Sequence, residues 1–318
     1  MIVTVTLNAA IDRSLTVPNF QRGQRHRASA GLTLAGGKGI NVARALKTLG
    51  VPVVATGLVG GATGTRIIQA LADESILNDF VHIEGESRTS TAVVDPAGGT
   101  YTEINEWGPA VRPQELEVLL NKLHYLTQGA ELVVFAGSLP RDVEDDFYAE
   151  TIRDLARRHV PAVLDTEGEP LRLGVEAEPF LVAATQREAE ALAGQEFHDE
   201  EDVRLGLEQI AEQGARNVLV TTETGCVALL REERATRRLR AVGPKVEPVS
   251  VVGYSDAVLA AFVAARQASR TPEEALRAAA AAGAASTMAV GAGVLDARQA
   301  GRLQAGVVLT ELEPAEAM

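Results

Sequence analysis

Glu131-Leu132-Val133-Val134-Phe135-Ala136-Gly137-Ser138-Leu139-Pro140 precedes a helical pattern from Asp145 to His159, and Val160-Pro161-Ala162-Val163-Leu164-Asp165 follows. A short β-branched run, a Gly/Pro turn, a helix and a second apolar run read as a βαβ unit. The rhythm extends both ways, through Val51 to Thr56 with the helical stretch Thr65 to Glu74, and through Asn217 to Thr221. It predicts an α/β fold with a mostly parallel central sheet and helices on both faces. Ligands in such folds gather at the carboxyl ends of the strands. Loop candidates there are residues 60–64, 137–140, 165–168 and 252–256. Residues 13–34 and about 88–106 break the rhythm and read as strands joined by tight turns. They predict a small β lid fed by two excursions from a core domain of residues 1–310, with a loose tail at 311–318.

Composition narrows the function classes. The 318 residues are 46% hydrophobic, enough for a large core, and 30 basic against 43 acidic residues give a net charge of −13. No Lys/Arg block interrupts this acidity, which argues against nucleic-acid or anionic-membrane partners. Cys226 is the sole cysteine, so an internal disulfide and a cysteine-based zinc site are excluded. The opening residues alternate like a strand and lack a basic segment before an apolar one, and we expect a cytoplasmic protein. Only Lys38, Lys47, Lys122 and Lys245 are lysines. Lys38 therefore stands out.

It lies in Leu34-Ala35-Gly36-Gly37-Lys38-Gly39-Ile40-Asn41-Val42-Ala43-Arg44, which sets three glycines, a cation and an amide at the start of a helix-like run. Glycines let the backbone approach a ligand, and a helix N-terminus offers unpaired N–H groups. A phosphorylated or hydroxyl-rich small molecule suits that chemistry, as does a plain Gly-rich turn before a core helix. No GxxxxGK[ST] loop is present, nor the Gly-rich loop, HRD and DFG set of protein kinases.

Five segments in order decide between these readings: Thr6-Leu7-Asn8-Ala9-Ala10-Ile11-Asp12, the Gly-Gly-Lys-Gly-Ile-Asn run, Thr102-Glu103-Ile104-Asn105-Glu106, Gly137-Ser138-Leu139-Pro140 and Gly253-Tyr254-Ser255-Asp256. Together they resemble the PfkB/ribokinase family of carbohydrate kinases over about residues 1–310, and most of all its 1-phosphofructokinase and tagatose-6-phosphate kinase branches. The resemblance implies a ribokinase-like fold, ATP as phosphoryl donor and Mg²⁺. It also implies Asp256 as catalytic base, with Gly253, Tyr254 and Ser255 in an anion hole and Thr221, Glu223 and Gly225 on the ATP side. Asp12, Gly36, Gly37, Lys38, Asn41 and Ser138 would line the sugar site. Arg27 and Arg88 would meet the phosphate already on the sugar, since guanidinium binds phosphate bidentately. Glu188 would meet the metal through water. Several relatives pair through the lid, so a homodimer is a further expectation.

Departures from the family pattern cluster on the ATP side. The usual GAGD reads Gly253-Tyr254-Ser255-Asp256, and a serine forced into a glycine-only conformation costs about 1–3 kcal/mol. Val251 stands where a threonine is common. The KPNxxE segment reads Ala183-Ala184-Thr185-Gln186-Arg187-Glu188, without its lysine and asparagine, and the following loop, Thr221 to Gly225, is one residue short. Two readings follow: phosphorylation of a ketohexose phosphate, fructose 1-phosphate to fructose 1,6-bisphosphate first among them, or a sugar-phosphate-binding relative with weak or no kinase activity. A kinase of unphosphorylated sugars is disfavoured by Arg27, Arg88 and the Thr102–Glu106 segment.

Overall fold

The computed structural model describes residues 1–233 and 235–312. The strands are β1 (Ile2–Thr6), β2 (Ala10–Thr16), β3 (Ala30–Gly36), β4 (Val53–Gly60), β5 (Leu77–Asn78), β6 (Val81–Ile83), β7 (Arg88–Asp95), β8 (Thr100–Asn105), β9 (Leu132–Ala136), β10 (Ala162–Asp165), β11 (Leu181–Thr185), β12 (Val218–Thr222), β13 (Gly225–Arg231), β14 (Thr236–Val242) and β15 (Val308–Glu311). Between them run helices α1 (Lys38–Thr48), α2 (Gly61–Asp73), α3 (Pro113–Leu126), α4 (Phe147–Arg157), α5 (Gly168–Val175), α6 (Gln186–Ala193), α7 (Glu200–Glu212), α8 (Tyr254–Gln267), α9 (Pro272–Ser286) and α10 (Ala297–Leu303).

The large sheet has the order β15-β14-β13-β12-β11-β10-β9-β1-β4-β5, with β6 on the end of β4. From β12 to β5 neighbouring strands are parallel, and β13, β14 and β15 add an antiparallel edge. The run that opened the reading shows why both faces are covered: Leu132, Val134 and Ala136 enter one apolar cluster, Val133 and Phe135 the other. Successive side chains of a strand point to opposite faces, so a continuous apolar run needs two layers of helices. The first cluster gathers residues of α1, α2, α8, α9 and α10, and the second those of α3 to α7. Phe135 packs on Tyr148 of α4 at a ring-centroid distance of 5.5 Å.

A separate four-stranded sheet, β3-β2-β7-β8, pairs β2 with β7 in parallel and the rest antiparallel. The ribokinase-like architecture expected from the sequence, a mostly parallel sheet between helices plus a small sheet, is the one observed. Two boundaries differ. Gly36 ends β3 rather than opening a loop, because it pairs with Ala10. Glu311 belongs to β15, where it pairs with Leu239 and holds Arg237, so the chain stays ordered past 310; the rest of the expected tail, 313–318, lies outside the described residues.

The site is positioned by how closely α1 approaches β1. A Cβ added at Gly39 would sit 2.8 Å from the Val5 carbonyl oxygen and collide with Thr6 Oγ1. Gly39→Ala must push α1 off the sheet, a loss of about 1–3 kcal/mol. Urea unfolding should show it against Gly301→Ala, where a Cβ meets nothing within 4 Å.

Candidate functional site

Because β1, β9, β10, β11 and β12 are parallel, their carboxyl ends share one edge, and a cleft of about 2290 Å³ opens there under the small sheet. Pockets for one small molecule measure roughly 300–1,000 Å³. This one has room for two ligands side by side.

The half beneath the small sheet is lined by Asn8, Asp12, Arg88, Ser90, Asn105 and Ser138. Asn8 donates from Nδ2 to Ser138 Oγ at 3.1 Å. Arg88, on the cleft wall, donates from Nε to the Asn8 carbonyl at 3.3 Å and from Nη1 to Asn105 Oδ1 at 3.4 Å; both bonds are long, and its other N–H groups have no partner among the described residues. Burial pushes the Asp12 carboxyl up to about 6, against the opposing pull of Arg88. Gly36 lies beneath Asp12, where any Cβ would collide with the carboxylate, so it admits Asp12 without lining the cleft itself. Trp107, 86% exposed, stands on the rim.

At the centre, Lys38 donates to Asp165 Oδ1 at 2.6 Å and sits 3.8 Å from Glu188 Oε1. Burial opposes its charge, but Asp165, Glu188 and Asp256 together outweigh burial and hold its pKa above the ordinary lysine range. Lys38 is therefore committed to internal carboxylates instead of standing free. Asp256 is 3% exposed. Its Oδ2 accepts from Asn41 Nδ2 at 2.9 Å, while its buried Oδ1 has no hydrogen-bond partner among the described residues. Burial pushes its pKa up to about 7; Lys38 and Asn41 pull down, and Asp165 and Asp12 push up.

The other half centres on the start of α8. Gly253 is its N-cap at φ 81°, and Tyr254 and Ser255 are already helical. The strain expected at Ser255 is absent, because only Gly253 takes a positive φ in this motif. Tyr254 is admitted by Gly283 of α9, where a Cβ would lie 2.7 Å from the tyrosine ring. Asp256, two residues into the helix, is not its N-cap. Both α1 and α8 open on the cleft from glycine N-caps with no side chain on their N–H groups, an arrangement that favours anions. Thr221 and Glu223 line this half, but Gly225 does not: it begins β13, packed so tightly that a Cβ would strike the Ala241 carbonyl. The short loop is a two-residue turn, Glu223–Thr224, between β12 and β13. Thr185 and Glu188 form a capping box for α6, with Glu188 Oε2 accepting from the Thr185 N–H at 2.6 Å. Ala183 is buried in the core.

Besides Gly36 and Gly225, two further parts of the expected site lie off the cleft of this single chain. Arg27 is exposed in the stretch between β2 and β3 and does not line the cleft. Residues 60–64 lie off it too, since Glu86 accepts from the Ala62 and Thr63 N–H groups and fills the start of α2 with the protein's own carboxylate. Asn8 and Asn105 belonged to quoted motifs without a role, and Asp165 was the first residue of a candidate loop. Arg141, whose Nε donates to the Gly108 carbonyl at 2.9 Å, had no signal.

Residues 2–298 match the model of the pfkB family carbohydrate kinases. The chain belongs to the PfkB family. It is 33% identical to the 1-phosphofructokinase of Borreliella burgdorferi over 91% of this chain and 92% of that one, and 34% identical to the 1-phosphofructokinase of Bacillus subtilis over 87% and 89%. Among solved structures, phosphofructokinase-2 of Escherichia coli in complex with substrates and products superposes with a TM-score of 0.87 at 27% identity, covering 96% of this chain and 98% of that one. The chain is accordingly a phosphosugar kinase of the PfkB family with ATP as a substrate, and the two-ligand cleft suits that chemistry. Among the described residues no helix is long and apolar enough to cross a membrane, and no three His, Cys, Asp or Glu side chains converge as a metal site. Among the described residues the cleft thus offers no cluster of three such side chains to Mg²⁺. Its donor set fits the ion only as a companion of nucleotide phosphates, the usual way magnesium is held.

Asp256 also makes folding depend on pH. Its folded pKa of about 7 lies above the ordinary 3.8, so the stability present while it is protonated is lost as pH rises from about 4 through 7. Asp256→Asn should therefore melt higher than the parent at about pH 8, by a few degrees, with the gap closing towards about pH 4. Calorimetric scans of both proteins across that range check it.

Proposed function

We propose that this kinase transfers the γ-phosphoryl group of ATP to the 6-hydroxyl of fructose 1-phosphate, giving fructose 1,6-bisphosphate and ADP. The observation that carries the reading is Asp256 itself, a residue of the cleft wall beside an uncapped helix N-terminus, whose buried Oδ1 has no hydrogen-bond partner among the described residues. Oδ1 takes the proton of the acceptor hydroxyl as its oxygen attacks γ-phosphorus, and the bond to the β–γ bridging oxygen breaks. The N–H groups at the start of α8, from Gly253 to Asp256, meet the transferring phosphoryl oxygens. Thr221 and Glu223 flank the nucleotide. Asp12, Gly37, Asn41 and Ser138 face the sugar, and Arg88 receives its 1-phosphate with the unspent part of its guanidinium. Arg27 has no part in this within one chain.

Lys38 serves the centre by holding Asp165 and Glu188 together, and it supplies positive charge at the ends of β10 and β11, where Ala183 offers none. Glu188 would hold Mg²⁺ through water, and the ion would neutralise phosphate charge. The second reading, a binding protein with impaired transfer, rested on the altered Gly253–Asp256 motif together with the lysine and asparagine missing at Ala183 and Thr185. An unstrained Ser255 and a Tyr254 ring accommodated over Gly283 favour the active enzyme.

With ATP, Mg²⁺ and a panel of sugar phosphates, ADP release should be fastest with fructose 1-phosphate and should fall as pH drops below about 7, where Asp256 is protonated. Absence of turnover at high enzyme concentration, with calorimetry still detecting fructose 1-phosphate, would establish the binding protein instead. Arg88→Ala should raise KM for the sugar phosphate by about 10- to 100-fold and change kcat much less. An unchanged KM would remove Arg88 from the phosphate site.

A further inference from the structure

Arg44 lies one turn beyond Asn41 on α1, is 5% exposed, and spends all five of its N–H groups. Nε and Nη2 hold the carboxylate of Glu74, at the C-cap of α2, in a bidentate pair. Nη2 also reaches the Ala35 carbonyl at 2.6 Å. Nη1 reaches the Ala292 carbonyl at 2.9 Å and Asn41 Oδ1 at 3.2 Å. Burying a guanidinium is expensive, and a paired one adds little stability over an apolar replacement, so its use lies in what it specifies.

It specifies an amide orientation. With Arg44 donating to Oδ1, Asn41 must turn Nδ2 towards Asp256; flipped, it would set N–H against guanidinium and carbonyl against carboxylate. The Ala292 contact adds a second constraint. A Cβ at Gly253, the N-cap of α8, would lie 2.6 Å from Ala292 Cα, so the start of that helix rests on the segment Arg44 holds.

We propose that Arg44 is a positioning residue for phosphoryl transfer, locking the Asn41 amide so that it ties Oδ2 of Asp256 and leaves Oδ1 free for the acceptor hydroxyl. The inference rests on the base role given to Asp256 above. The charged groups that face Asp256 are Lys38 from α1, Asp165 from β10 and Asp12 from β2, with Arg44 and Glu74 acting through Asn41. Substitution at Arg44 leaves the first three in place.

Arg44→Lys keeps a cation for Glu74 but cannot reach Ala35, Asn41 and Ala292 together. We expect kcat to fall about tenfold or more, KM for fructose 1-phosphate to change less than about threefold, and the acidic limb of the kcat–pH profile to move up by about one unit. A readout independent of turnover is ¹³C-carboxyl NMR, with the Asp256 resonance assigned by its loss in Asp256→Asn; its titration should move up by the same amount. A folded Arg44→Lys with both titration and pH profile unchanged overturns the proposal. Should that variant not fold, Glu74→Gln, at the partly exposed outer end of the network, decides: a smaller shift in the same direction supports it, and none overturns it. A parent enzyme without turnover removes the proposed reaction, while the NMR titration still tests the Arg44–Asn41–Asp256 coupling.

Discussion

The hydrogen bond from Asn41 to Asp256 joins residues 215 apart and sets the geometry of the whole cleft. It is possible only because α1 follows the small sheet and α8 follows the antiparallel edge, yet both pack on the same face of the large sheet. The two helices bring their N-termini to one point. Each terminus carries roughly half a positive charge, which partly offsets the carboxylates collected there. Without Gly39 against β1 and Gly253 against Ala292, the helices could not come close enough for that bond.

Charge at this point is unevenly balanced by design of the chain. Asp165, Glu188 and Asp256 surround the single ammonium of Lys38, and Asp12 stands near enough to influence Asp256. Burial raises the pKa values of Asp12, Asp165 and Asp256, and neighbouring acids sustain the rise. A carboxyl near 7 is matched to accepting a proton at neutral pH, whereas an ordinary aspartate would be a weak base. The centre also carries an unmet demand for positive charge. Under the proposed reaction, a cation carried by the nucleotide would answer that demand.

Much of this was legible in the residues. The apolar run at 131–136 reported two covered faces because a strand's alternation has no other way to be satisfied, and the motif around Asp12 pointed to a carboxylate on the cleft. Motif residues carry such information because their chemistry is local. What escaped is non-local. Arg44 stood at the end of the quoted 34–44 stretch, but its partners Glu74, Ala35 and Ala292 are set by packing, and no spacing announces them. Arg27 read as a binding residue because it matches a basic position of the phosphosugar kinases, while the backbone carries it away from the cleft of its own chain. Glycine at 255 looked obligatory in the family pattern, but the helix begins at Tyr254, inside the expected loop of 252–256, and a helical φ accepts serine.

Trp107 gives the molecule one more property. It is the sole tryptophan, and it stands almost fully in solvent on the rim of the cleft between Glu106 and Gly108. An indole so exposed emits at long wavelength, and any ligand or strand movement that covers the rim shifts its emission to the blue. The sequence thus contains a single optical reporter located where the small sheet meets the substrate cleft. Stopped-flow fluorescence on the unlabelled protein can then separate the rate at which a ligand reaches the rim from the rate at which phosphate moves.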